Sequence, residues 1–154
     1  MIVIIPCGGK KLGIRATAGR IYIGSYHLAC QQWARSITSS KNIRILSSKY
    51  GLLCLDDIID PYEQVMGDPG SISIRELREQ ARHQGIEDEQ IIAIGGKRYT
   101  ESMRRTFVNI ITPLDGIGGM GKQMHWLKEN RGRLPQSAQS QKPALKIQGG
   151  AYNE

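Results

Sequence analysis

Four short runs dominated by β-branched apolar residues punctuate the chain: Ile2–Ile5, Ile43–Leu46, Gln90–Ile94 and Val108–Thr112. Their apolarity is largely continuous rather than alternating, which predicts strands covered on both faces, as in a parallel sheet. Helical periods fall between them. Ser25–Ile37 sets Leu28, Ala29, Trp33 and Ile37 near one face, with Arg35 and the glutamines turned outward. Ser73–Gln84 is highly charged, with Leu77 and Ala81 four apart. Tyr99–Phe107 is a shorter candidate, and Met120–Lys128 aligns Met120, Met124 and Leu127.

Strands alternating with helices predict a three-layer α/β fold, a mostly parallel sheet of about four or five strands with flanking helices. Residues 1–130 read as a single domain. Residues 131–154 read as a basic Gln/Ser/Pro/Gly-rich tail without apolar period, expected to be flexible. In open α/β sheets ligands gather beyond the carboxyl ends of the strands. Three segments would emerge there: Pro6-Cys7-Gly8-Gly9-Lys10-Lys11, Ser47-Ser48-Lys49-Tyr50-Gly51 and Gly95-Gly96-Lys97-Arg98. Each couples lysine with glycine. Gly116, Gly118, Gly119 and Gly121 would join the same rim.

Composition alters this picture modestly. The 154 residues suffice for one domain with a real core. A net charge of +7 favours polyanionic partners, but Arg131, Arg133, Lys142 and Lys146 against Glu154 supply part of it. The excess elsewhere, +4, is a hint only. Cys7, Cys30 and Cys54 are odd in number with no CxxC pair, which argues against a disulfide framework or zinc site and fits a reducing cytoplasm. No apolar stretch is long enough to span a bilayer, and the opening Met-Ile-Val-Ile-Ile-Pro reads as a strand rather than a signal peptide. The histidines lack metal-ligand spacing, so neither a metal nor a cofactor is indicated.

Several residues suit chemistry, each with a plainer alternative. Gly8-Gly9-Lys10-Lys11 lacks both the P-loop and the dinucleotide spacing, yet its backbone N–H groups could cradle an anion. Otherwise it is a turn with solvated lysines. Cys7 stands where a nucleophile would be well placed, or is a buried inert thiol. Ser25 is a natural N-cap, and His27 in the first turn is a proton acceptor or a packing residue. Ser47, Lys49 and Tyr50 together suit proton transfer or phosphate recognition. Tyr62, after Pro61, offers a stacking surface for a base or a lid over the core.

Two of these segments carry a resemblance. Ile45–Leu53, then Leu55-Asp56, Ile59–Glu63 and Met66-Gly67, resembles the central signature of the YaaA family of peroxide-stress proteins, which reads Leu-Ser-x-x-Tyr-Gly, an Asp, Pro-Tyr and Met-Gly. Pro6-Cys7, the lysines after it and Ser25-x-His27 are similar to the Pro-Cys…Lys…Ser…His motif of the archaeosine-synthase catalytic domain, with Leu12–Arg20 intervening here. The resemblance covers roughly residues 1–130 and points to a small bacterial or phage YaaA-related member. It implies an enzyme directed at a nucleobase in a nucleotide, DNA or RNA, through N-glycosidic cleavage or exchange, or base modification. Cys7, Ser25, His27, Lys49 and Asp56 are then the catalytic candidates. Gly8, Gly9, Lys10, Lys11, Ser47, Tyr50, Gly51, Tyr62, Gly95 and Gly96 are the substrate-binding ones. The alternative from another class is a non-catalytic DNA-binding or oxidative-stress protein using the same basic rim.

Overall fold

The computed structural model describes residues 1–138. Its main sheet holds five strands: β1 (Ile2–Pro6), β3 (Ile43–Ser47), β4 (Gly51–Cys54), β6 (Ile91–Ala93) and β7 (Ile110–Ile111). They lie in the order β4-β3-β1-β6-β7, all parallel except β4. A two-residue ribbon pairs β2 (Ala16–Thr17) with β5 (Ile58–Ile59). The helices are α1 (Ala18–Ile21), α2 (Ser25–Ile37), α3 (Ile74–His83), α4 (Lys97–Thr106) and α5 (Met120–Glu129). The fold is the α/β class that the apolar runs predict.

β1 shows why those runs are unbroken. All five of its residues are buried, and successive side chains point to opposite faces. Val3, Ile5 and Cys7 enter one core with Ile21, Trp33, Ile45 and Leu127, beneath α2 and α5. Ile2 and Ile4 enter the other with Leu77, Ala81 and Met103, beneath α3 and α4. The parity that buries Val3 and Ile5 therefore directs Cys7 to the α2 side.

Two elements differ from the sequence reading. Ser47–Gly51 is not an open loop: Ser47 pairs with Gly51 and Arg44 with Cys54, so the chain reverses tightly into the antiparallel edge strand β4. Ser47 Oγ holds the reversal by accepting from Lys49 N (3.1 Å) and Tyr50 N (2.9 Å). The last strand shrinks to Ile110–Ile111, because Val108 projects into solvent, 97% exposed. Beyond α5, Gly132 N donates to Ser36 Oγ and Ala138 is buried in the α2-side core. The rest of the predicted tail, 139–154, lies outside the described residues. Among the described residues no helix is long and apolar enough to cross a membrane.

The β4 edge is covered by side chains rather than left open. Gln80 on α3 accepts from Leu52 N (2.7 Å) and donates to Tyr50 O (3.0 Å), and Gln84 donates to Leu52 O (2.9 Å). Two glutamines thus stand in for a sixth strand, which blunts an edge that would otherwise recruit another chain. Gly51 makes room for them: its φ is +83°, and a Cβ there would collide with the Gln80 amide. Gln80→Leu leaves a strand N–H and a C=O unpaired and is expected to cost about 1–3 kcal/mol in urea unfolding. Gly51→Ala is expected to destabilise through the same contact, and Gln80→Ala should partly rescue it.

Candidate functional site

The carboxyl end of β1 opens into a cavity of about 500 Å³. Pro6, Cys7, Gly8 and Gly9 form its floor, and the start of α2 (Gly24, Ser25, Tyr26, His27) one wall. Gly96 and Tyr99 from α4 and Met120 and Gln123 from α5 complete it. The loops after β1 and β6 abut at Gly95, whose φ of +141° suits glycine. A Cβ there would press on Pro6 and Tyr99 at 3.1–3.3 Å. A second hollow, about 600 Å³, lies at the opposite end of α5 beside Trp126 and Asn130, with Arg133 the one ionisable side chain lining it.

Cys7 is 7% exposed. Its backbone N–H continues the sheet ladder to Leu46 O at 3.0 Å, so the thiol is fixed by the strand and not by a flexible loop. Cys7 Sγ lies 3.1 Å from Tyr99 OH and 3.9 Å from Ser48 Oγ. Burial pushes the Tyr99 phenol well above its ordinary range, with the nearby Cys7 adding to the shift. The phenol therefore stays protonated and can donate to a thiolate or to an anion bound beside it.

His27 has a defined role that differs from that of a free base. Arg35 Nε donates to Gln31 Oε1 (3.0 Å), which turns the Gln31 amide nitrogen toward His27 Nε2 (2.9 Å). That ring nitrogen accepts, so Nδ1 carries the proton and donates to Pro6 O at 2.7 Å. Both ring nitrogens are occupied, and burial lowers the pKa from 6.5. His27 is a neutral clamp between α2 and the end of β1.

Three helices begin at this cavity, and each has glycine as its N-cap: Gly24 for α2, Gly96 for α4 and Gly119 for α5. The φ values, −71°, −68° and −72°, are open to any residue. Glycine here supplies the absence of a side chain. With no capping side chain, first-turn N–H groups that lack intrahelical partners stay available, and the dipoles favour negative charge. Away from the cavity, α3 is closed by a full capping box, Ser73 with Glu76. A Cβ at Gly9 or Gly96 would meet nothing within 4 Å.

The predicted residues divide accordingly. Cys7, Gly8, Gly9, Ser25, His27 and Gly96 line the cavity, and Gly95 supports it. Ser25 is the first residue of α2 rather than its cap. Behind the floor, Ser47 Oγ donates to Tyr62 OH (2.8 Å), which is 2.7 Å from Tyr22 OH. Burial pushes Tyr22 up to about 12. Lys11 Nζ lies 4.2 Å from the Tyr62 ring centre, and Tyr50 packs edge-on to that ring at 5.4 Å. Lys10 and Lys49 are exposed, and Gly51 belongs to the β4 edge. Asp56 is exposed beyond the far end of β4, since Cys54 pairs with Arg44 whereas Cys7 bonds at the level of Leu46. The cavity lining contains no carboxylate.

Sequence reasoning missed Tyr26, Tyr99, Met120 and Gln123. Tyr99 follows the Gly95-Gly96 turn by one helical turn, a spacing that could have marked it. Tyr26 OH donates to Gln123 Oε1, and Gln123 Nε2 donates to Gly118 O, a junction of distant residues with no local signal.

These features define an α/β protein with a thiol-bearing, helix-N-terminus cavity at the carboxyl edge of its sheet. The chain belongs to the DUF6884 family, a family of unknown function, whose model matches residues 2–129. No curated protein matches it.

His27 makes stability depend on pH. Its folded pKa lies below 6.5, so below that pH the unfolded chain binds the extra proton. Its contribution is present above about pH 6.5 and is lost as pH falls toward the folded value. Urea unfolding between pH 7 and 5 should show this decline. His27→Asn should be less stable at pH 7 and show a flatter decline; His83 and His125 are exposed.

Proposed function

We propose that the chain is an enzyme acting on a nucleobase, with Cys7 as the reacting group and the glycine-capped helix starts binding the phosphate of the nucleotide. The observation that carries this reading is a strand-fixed thiol, 3.1 Å from a phenol, in a cavity where α2, α4 and α5 begin without capping side chains. A cavity of about 500 Å³ is in the range of small-ligand sites. Helix N-termini are ready anion sites.

Base modification through Cys7 suits the site better than glycosidic cleavage. Carboxylate-assisted cleavage places an acid beside the sugar, and Asp56 sits beyond the opposite end of β4. In the favoured chemistry the Cys7 thiol adds across a polarised C=N bond of the base: the sulfur–carbon bond forms as the π bond opens, the thiol proton ends on the ring nitrogen, and Tyr99 hydrogen-bonds the negative charge that develops there. Ser25 and the first-turn N–H groups of α2 face the anion, and His27 holds the wall. The resemblance to YaaA proteins and to the archaeosine-synthase domain supports the base-centred reading. The free thiols Cys7, Cys30 and Cys54 fit work in a reducing cytoplasm.

The test is protection of Cys7 from iodoacetamide, followed by peptide mapping so that Cys54 is scored separately. Cys30, fully buried and pushed up to about 12, serves as the inert internal control. At least one of the common nucleoside monophosphates should slow Cys7 labelling and raise Tm. Gly96→Asp should fold with a gain of a few tenths of a kcal/mol from its new N-cap, yet lose that nucleotide response. If no mononucleotide protects Cys7 or shifts Tm, the proposal fails.

A further inference from the structure

We infer that the base reaching this cavity belongs to single-stranded nucleic acid laid across the carboxyl edge of the sheet. The inference rests on the reading of the Cys7 cavity as a base pocket and names its substrate class. Each parallel strand of the main sheet is followed by a loop or helix start bearing a lysine: Lys49 after β3, Lys10 after β1, Lys97 after β6 and Lys122 after β7. All four side chains are exposed, and among the described residues none is ion-paired.

The order matters more than the number. In the sheet these strands run β3-β1-β6-β7, so in strand order the four lysines form a row of positions along the carboxyl edge, Lys10 beside Gly24 at the start of α2 and Lys97 opening α4 on the other face. Three inter-strand steps put the outer two strands roughly 14 Å apart. Lys10 and Lys97 directly follow Gly9 and Gly96 in the cavity lining, so two of the four stand at its edge. Arginines take up neighbouring acids: Arg15 pairs with Asp60 (3.3 Å), Arg98 with Asp68 (3.3 Å) and Arg104 with Asp115. Glu63 and Glu101 carry no ion pair among the described residues. The row's net sign is positive.

A mononucleotide offers phosphate at one end and cannot engage such a row; a polymer repeats the charge along it. Tyr50 adds an aromatic surface at the β3 end, half-buried with Lys49 Nζ 5.3 Å from its ring. Alternating cations and aromatics are how single strands are held without sequence preference. A stacked duplex would keep its bases out of an enclosed cavity unless one were flipped.

The experiment measures binding of fluorescein-labelled oligodeoxyuridylate, oligouridylate and a duplex of equal length by anisotropy across a salt series. For the single strands, the slope of log K against log[salt] should be near −3, about 0.7 for each lysine engaged. Lys49→Gln with Lys122→Gln, both outside the cavity lining, should flatten it by about 1.4 and weaken binding about fivefold or more. Mononucleotide protection of Cys7 should survive in that variant. A preference for either single-stranded polymer supports the inference and identifies the sugar. It is overturned if the duplex binds as tightly as the single strands, if oligomers bind no tighter than mononucleotides, or if the double variant binds like the wild type. Loss of mononucleotide protection in the wild type, with oligomer binding intact, would instead count against the Cys7 reading.

Discussion

The hydrogen bond from His27 Nδ1–H to the Pro6 carbonyl is the contact on which the site depends. Pro6 is the last residue of β1, and on the β6 side the ladder ends with Ile94 N–H donating to Ile4 O, short of the Pro6 carbonyl. A neutral imidazole satisfies it and thereby sets how close α2 may start to the strand. The tautomer is itself imposed from behind by Arg35 acting through Gln31. A polar line running back along α2 therefore holds the wall against which Cys7, Gly8 and Gly9 are arranged. The histidine is buried because it is structural, and its burial suits the neutral form that the bond requires.

A division of labour follows among the polar groups at this end of the sheet. Groups that hold shape are paired with one another: Ser47 with Tyr62 and Tyr22, Ser48 with Gln64, Tyr26 with Gln123. Of the cavity lining, Gly8, Gly9, Gly24, Ser25 and Gly96 are short or lack side chains altogether. The thiol lies between these sets, touching Tyr99 and facing the helix starts. Lys11, counted from the sequence among the anion-binding lysines, belongs to the first set, because its ammonium lies against the Tyr62 ring.

Much of the fold was legible because burial on both faces leaves an unbroken apolar run, as Ile2–Ile5 and Ile43–Leu46 show. β4 was not. Its pairing depends on Ser47 closing a turn and on glutamines from α3 covering the edge, neither of which has a period. The loops at the carboxyl edge were locatable from glycine and lysine alone, which found Cys7, Gly8, Gly9 and Gly96. Residues joined only by tertiary approach, such as Tyr26 and Gln123, leave no mark within either segment. Asp56 was drawn in as the aspartate of the YaaA-like signature, yet β4 runs antiparallel and carries it away.

The arrangement of the main sheet also governs how the protein can be made. β1 occupies the centre, yet it precedes both of its neighbours, β3 and β6, in the chain. At synthesis rates of about 5–20 residues per second, several seconds separate β1 from β6 at the ribosome. During that interval Ile-Val-Ile-Ile is an apolar strand with two bare edges, a segment of the type that pairs promiscuously. Early pairing with β3, before β6 exists, would halve that exposure. The nascent chain's vulnerability to aggregation is thus concentrated in the same few residues that later hold the thiol still.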